Sequence, residues 1–543
     1  MATSRSDPAE AASLHKDARP SGGQREVPFR RVLVANRGEI AVRIIRACHE
    51  LGIEAIAVYS DADAEALHTR LADVAVRIGP PPPTESYLRV DAIVDAARAA
   101  GADAVHPGYG FLAERAAFAR AVEEAGIVFV GPPPDAIEAL GDKLHARRLA
   151  RSVDVPVVPG TLEPAPMERP DQVAAIVAEA ERIGFPLLVK AAAGGGGRGM
   201  RRVTTAEGLP AALAAGSAEA ASAFGDGSVY IEREILPARH VEVQLLGDAT
   251  GRVVAIGERD CSLQRRHQKL VEEAPAPGLS FEERRALHAM AVRLGEAAGL
   301  RNAATAEFLR APDGSFAFLE VNTRLQVEHG VTELVSGLDL VREQLRIAAG
   351  LPLSKATLAA AERAAEPGSH AIEVRIAAEN PAFDFTPTPG RISLWTMPGG
   401  PGVRIDSGVG QGDRVPPEYD NLIAKLMVHA GDRDAAIDRL ARALDEAEIG
   451  GIQTTLPFHR FVARDASFRS GDLSTGWVAE RFDGPAELRR ALRSAKLAAG
   501  LEAISGGTGR PGRDAGAGTG AGPEADGRWR AAGRADTIDR WPR

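Results

Sequence analysis

The sequence predicts a multidomain protein of mixed α/β and α+β class, and three observations predict it. Between residues 31 and 131, short apolar runs alternate with segments of helical period, the pattern of a parallel sheet with crossover helices. Between residues 306 and 324, two apolar runs flank Pro312-Asp313-Gly314, a hairpin signal. From His370 onward, β-rich stretches accumulate before a further helix.

The elements follow in order. Residues 1–28 are polar and rich in Ala, Ser, Pro and Gly, so a disordered arm is expected. A first domain over 29–143 opens with the strand VLVA, then NRGEI, then a helix whose stop is Gly52. IEAIAVYS, DAVHP and IVFVG supply further strands. ANRGE and HPGYGFLAE fall at the carboxyl ends of such strands, where ligands of open α/β sheets bind. A second domain is expected over 144–350, with PLLVK, SVYIEREI and HVEVQLLGD as strands and RVVAIGERDCSLQRRHQKLVEEAP as strand then loop. The hairpin and a helix from Leu338 towards Ala349 complete it. A third, β-rich domain spans 367–483, and 484–543 reads as one helix followed by a disordered Gly-rich tail.

Composition narrows the function classes. The chain has 543 residues, 45% hydrophobic and 26% charged, enough for sizeable cores. A net charge of −9 argues against sequence-independent nucleic-acid binding, which needs cations against phosphates. The two cysteines, Cys48 and Cys261, lack metal-ligand spacing and suit a reducing compartment. Without a membrane-length apolar run or a signal-like N-terminus, a cytoplasmic location is expected.

FLEVNTRLQVEHG, residues 318–330, carries the most chemistry. On an extended strand Glu320, Asn322, Arg324, Gln326 and Glu328 would share one face. That face would hold a metal-binding carboxylate, a fixed cation and a second carboxylate free to act as a base. Glu307, on the other arm of the hairpin, could meet Glu320, and a divalent metal would relieve their repulsion. The Gly-rich run 194–199 follows Lys190 and would let backbone amides approach phosphate oxygens, with Lys190 in reach. A flexible surface loop would look the same, and the spacing is not that of a P-loop. QRRHQK, residues 264–269, is a basic cluster that could equally be a solvated face.

Together NRGEIAVRIIRA, HPGYGFLAE, KAAAGGGGRGMR, ERDCSLQRRHQKLVEEAPAP, FLEVNTRLQVEH and YDNLIAKL, in this order, resemble the biotin carboxylase family of the ATP-grasp superfamily. The resemblance implies a Rossmann-like pre-ATP-grasp domain, an ATP-grasp core with a mobile lid at about 156–232, and a β-rich C-terminal domain. It implies that Lys143 and Lys190 hold ATP phosphates and that Gly196 and Gly197 cover them. Glu232, Arg233, Glu234 and Ile235 would meet adenine, mostly through backbone, with His240, Gln264 and His267 lining the nucleotide pocket. Glu307, Glu320 and Asn322 would bind two Mg²⁺ or Mn²⁺ ions. Lys269, Arg324, Gln326 and the Val327 amide would hold bicarbonate, and Glu328 would take its proton. Tyr109, Gly110 and Arg375 would form the biotin site.

By the same resemblance, biotin would arrive on a separate biotin carboxyl carrier protein, since no Met-Lys-Met signature is found, and a carboxyltransferase would complete an acyl-CoA carboxylase, acetyl-CoA first. A homodimer is expected. Two other readings share parts of the pattern: another ATP-grasp ligase, and a non-catalytic scaffold that only binds nucleotide.

Overall fold

The computed structural model describes residues 26–165, 169–192 and 200–506. Gly196 and Gly197 lie outside the described residues, as do most of the N-terminal arm and the tail from residue 507. Of the arm expected over 1–28, residues 26–28 are described and pack on the body: Val27 is buried, and Glu26 pairs with Arg342 and Arg346. One apolar residue inside a polar stretch is enough to anchor the chain.

The first domain is a five-stranded parallel sheet ordered β3-β2-β1-β4-β5, from β1 (Arg31–Val34), β2 (Glu54–Ser60), β3 (Val74–Gly79), β4 (Ala104–His106) and β5 (Val128–Phe129). The edge strand β3 is not among the expected strands; its VAVRI run is half exposed, as an edge position allows. Helix α1 (Gly38–Glu50) covers one face. Its Ile40, Ile44 and Ile45 recur at helical spacing and pack on Val32 and Val34, worth ~1.5–3 kcal/mol per fully buried side chain. Gly52, at φ +69°, ends the segment in a conformation that glycine adopts without strain.

The segment expected to form a lid carries a three-stranded antiparallel sheet of β6 (Leu187–Ala191), β7 (Arg201–Val203) and β8 (Val229–Arg233), with its own core around Leu187, Val189, Leu213 and Ile231. The main body is one eight-stranded sheet. Its strands are β9 (Arg239–Gly247), β10 (Val253–Arg265), β11 (Gln268–Ala274), β12 (Asn302–Arg310), β13 (Phe316–Asn322), β14 (His370–Ala377), β15 (Val403–Ser407) and β16 (Leu422–Ala430). Their order is β13-β12-β9-β10-β11-β14-β16-β15. The pairing of β11 with β14 carries this sheet across the expected boundary between the second and third domains. In the stretch expected as strand then loop, the later part forms strand β11, joined to β10 by a tight turn in which Arg266 and His267 have positive φ. Its charged residues hide a strand because they face a polar site.

Alternation explains how the sheet divides its two faces. On β9, Val241, Val243 and Leu245 enter a core shared with the helix Phe281–Ala297, which leaves His240, Glu242 and Gln244 on the other face. On β14, Ile372, Val374 and Ile376 join a second core beside the helix Arg433–Glu446, leaving Glu373 and Arg375 opposite. Helix α2 (His329–Ser336), not anticipated from sequence, packs on that polar face.

Candidate active site

The site is built on the β12–β13 hairpin. Register pairs Glu307 directly with Glu320 and Thr305 with Asn322, so the two carboxylates stand side by side as the sequence predicts. Asn322 donates to Glu307 at 2.8 Å, and the Lys143 ammonium lies 2.9 Å from Glu320. Burial works against the charge on Lys143, but the adjacent Glu320 more than offsets it and raises its pKa.

Extended structure ends at Asn322, which corrects the expectation of one strand running through to Glu328. Thr323 and Leu325 still turn into the core, so Asn322, Arg324 and Gln326 keep a common face. Arg324 bonds Asn322 and Gln326 at 3.2 and 3.0 Å and reaches Glu114, from the HPGYGFLAE motif, at 2.9 Å. Val327 then turns the chain, and Glu328 arrives at the site as the N-cap of α2.

Lys269 is the centre of the charge network. Its three donors are spent on Glu242 at 2.5 Å, Glu328 at 2.7 Å and Glu307 at 2.9 Å. Arg375 holds the other Glu328 oxygen at 2.9 Å and also bonds Glu272. Burial opposes ionisation of Glu328, but Lys269, Arg375 and Arg259 hold its carboxyl well below the usual range. Glu307 is likewise depressed: burial opposes, then Lys269 and His240 outweigh it. Glu272 is pushed up to about 7, by burial first, against the pull of Arg375. Glu242, Glu272 and Arg259 are not among the residues expected from the sequence. A signal for Glu242 is present there, because it alternates with His240 and Gln244 on β9.

The remaining candidates surround this network. His240 lies 2.9 Å from Glu307, and Gln264 bonds His240 at 2.7 Å. His267 is exposed at the β10–β11 turn and does not join the buried cluster. Lys190, at 7% exposure, and the fully buried Arg147 both hold the Glu232 carboxylate. In the segment expected to meet adenine, the amides of Arg233 and Glu234 donate to the Pro159 and Pro186 carbonyls and are engaged within the protein. Tyr109 and Gly110 sit on a turn that Asn36, from ANRGE, staples by donating to the Pro107 and Tyr109 carbonyls, each at 2.7 Å. Tyr109 donates to Glu39 and feels the charge of Arg375.

A deep cluster of fixed cations and carboxylates, beside a carboxylate pair built from oxygen donors, suits anion activation by a metal-bound nucleotide. Comparison with known proteins agrees. Residues 28–137 match the family described as "Biotin carboxylase, N-terminal domain", 142–356 "Carbamoyl-phosphate synthase L chain, ATP binding domain", and 373–480 "Biotin carboxylase C-terminal domain". A pyruvate carboxylase subunit of Methanothermobacter thermautotrophicus is 48% identical over 466 residues, 86% of this chain and 93% of that protein. Biotin carboxylase of Haemophilus influenzae is 47% identical over 452 residues, 83% of this chain and 98% of its own. The biotin carboxylase domain dimer of Hydrogenobacter thermophilus 2-oxoglutarate carboxylase, solved with MgADP, ADP and bicarbonate, superposes with a TM-score of 0.79 at 43% identity, covering 83% of this chain and 97% of that one. The ATP-binding match alone is shared with carbamoyl-phosphate synthesis; the flanking matches are what separate the two, and the chain belongs to the biotin carboxylase family of ATP-dependent ligases.

Proposed function

We propose that this protein carboxylates biotin on a carrier protein, using bicarbonate and ATP by way of carboxyphosphate. One observation carries the reading: Lys269, Glu328 and Arg375 converge beside the Glu307–Glu320 pair. Bicarbonate takes the place among Lys269, Arg324, Gln326 and the Val327 amide, and Glu328 accepts its proton. The freed oxygen attacks the γ-phosphorus of ATP, and ADP leaves. Lys143 and Lys190 hold the phosphates, with Gly196 and Gly197 covering them. His240, Gln264, His267 and the 232–235 segment line the nucleotide position. Carboxyphosphate then splits to CO₂ and phosphate, phosphate takes the biotin N1′ proton, and N1′ attacks CO₂. Arg375 stabilises the negative ureido oxygen, with Tyr109 and Gly110 beside it.

The donor set fits a hard divalent cation: Glu307, Glu320 and Asn322 offer oxygens, and buried cations now neutralise both carboxylates. Bound there, Mg²⁺ or Mn²⁺ supplies charge neutralisation at the transferring phosphate.

The reaction serves as the first half of an acyl-CoA carboxylase, with acetyl-CoA the first acceptor to test and a transferase on another chain choosing it. An acyl-CoA carboxylase α3 subunit of Mycobacterium leprae, 47% identical over 463 residues, supports this. Pyruvate is the second reading, because of the 48% identical pyruvate carboxylase relative. The Hydrogenobacter dimer supports a homodimer here. No described helix is long and apolar enough to cross a membrane.

The test is ATP hydrolysis by the purified chain with and without bicarbonate and free biotin. Hydrolysis that needs bicarbonate and rises with biotin is expected. Hydrolysis indifferent to both would refute the reading; if it depends on both, adding carrier and candidate transferases separates acetyl-CoA from pyruvate.

A further inference from the structure

Lys425 is fully buried yet belongs to none of the groups assigned above to a substrate. It lies on β16, directly opposite Arg375 on β14 and Asp406 on β15. Its ammonium donates to the Val327 carbonyl at 2.7 Å and lies 3.3 Å from Glu39 and 3.9 Å from Asp406. Burying an ammonium without partners is costly, so a lysine here needs its carboxylates. Glu39 comes from the first turn of α1 and, on the same oxygen, receives the Tyr109 hydroxyl. One continuous set of contacts thus runs from the peptide that precedes Glu328, through Lys425 and Glu39, to Tyr109.

Two glycines allow these elements to approach closely. A Cβ on Gly408 would lie 2.5 Å from the Glu39 nitrogen, so α1 can meet the third domain only over a bare backbone. A Cβ on Gly330 would lie 2.2 Å from the Met427 sulfur, so the first turn of α2 is seated directly on β16. The Val327 carbonyl is fixed by a donor from the sheet beneath it. This fixes the peptide plane from which the Glu328 carboxylate projects.

We propose that Lys425 is a positioning residue: with Glu39 it forms a buried strut that holds the Val327–Glu328 turn at one end and the Tyr109 phenol at the other, and so sets the spacing between the bicarbonate and biotin positions. This rests on the function proposed above and adds to it residues that touch neither substrate. The strut connects four segments remote in sequence, those of Glu39, Tyr109, Val327 and Lys425, so each end reports on a different substrate.

The experiment uses the full chain and measures steady-state ATP hydrolysis while bicarbonate, MgATP and free biotin are varied separately. Lys425→Met is expected to raise the KM for bicarbonate by about tenfold or more, since small misplacements at a reacting centre are amplified, while the KM for MgATP stays within about twofold. Glu39→Gln is expected to raise the KM for biotin several-fold and the KM for bicarbonate by less than Lys425→Met does, because the amide oxygen and Asp406 still face Lys425 while the charge that holds Tyr109 is lost, and an unchanged biotin KM would overturn the Tyr109 end of the strut. If Lys425→Met does not fold, as judged by its thermal melt, Lys425→Arg keeps the charge, moves the donor and is expected to give the same split at about threefold or more. An unchanged bicarbonate KM in the folded Lys425 variant, or parallel losses for ATP and bicarbonate, would overturn the strut. Wild-type protein without bicarbonate-dependent hydrolysis would instead sink the function on which it rests, so the two failures are distinguishable.

Discussion

Glu328 poses a chemical tension. A general base works best when its pKa lies near the operating pH, yet against the effect of burial Lys269, Arg375 and Arg259 leave this carboxyl far more acidic than usual. The tension resolves through competition. Lys269 and Arg375 are the cations an anionic substrate would engage, and every contact diverted from Glu328 returns basicity to it. Glu328→Gln keeps the shape and removes the base. Its bicarbonate-dependent turnover is expected to fall ~10²–10⁴-fold, the usual worth of a positioned base, with the KM for ATP nearly unchanged. Turnover at the wild-type rate would exclude Glu328 as the base. Glu328, Arg324, Gln326 and Lys269 are all legible in the sequence as chemically suited residues. Glu242 and Glu272, which set the charge around them, are not, because a carboxylate in a strand gives no sign of the cation it will face.

At the scale of elements, the β12–β13 hairpin is decisive. Phe308 and Phe318 pack edge to face beneath it with ring centroids 5.9 Å apart, and a one-residue register shift between Glu307 and Phe308 then sets Glu307 against Glu320. Glu320→Gln removes one anionic oxygen pair and keeps the fold. The Mg²⁺ concentration for half-maximal ATP hydrolysis is expected to rise by about tenfold or more, the equivalent of one charge-assisted contact. An unchanged Mg²⁺ dependence would remove Glu320 from the metal site. The hairpin is readable because Pro312-Asp313-Gly314 and two apolar runs are local signals. Strand β11 and helix α2 are not readable. β11 carries its charges towards a polar interior, and α2 starts in a motif whose alternation still mimics a strand.

For the whole molecule, buried charge predicts how stability varies with pH. Glu273 is lowered to about 2: burial opposes, but His370 and Arg433 prevail. Glu307, Glu328 and Asp406 are depressed in the same way by their cations. An acid with a lowered folded pKa adds stability above its unfolded value, about 4, and loses it as pH falls. The buried His68 and His459, pushed down to about 4, and His106, to about 3, also favour unfolding below about 6.5, because only the unfolded chain readily takes up their protons. Glu272, raised to about 7, and Glu39 and Glu373, raised by burial, work in the opposite sense near neutrality. Stability is therefore expected to change little between about pH 7 and 5, where the two sets oppose, and to fall steeply below about pH 4.5. Urea unfolding at a series of pH values checks this, and a midpoint as high at pH 3 as at pH 7 would contradict it.

The sequence by itself determined the class of fold, the strands and helices with strong local period, and the residue types able to bind metal, phosphate and bicarbonate. These are properties of neighbours along the chain, where spacing and side-chain chemistry suffice. The tertiary structure alone decided that one sheet runs through the second and third domains, that Lys269 spends its donors on three carboxylates, and that Lys425 reaches from β16 to the Val327 carbonyl. Such contacts join residues far apart in the chain. Their strength comes from burial, and burial exists only once the sheet has closed over them.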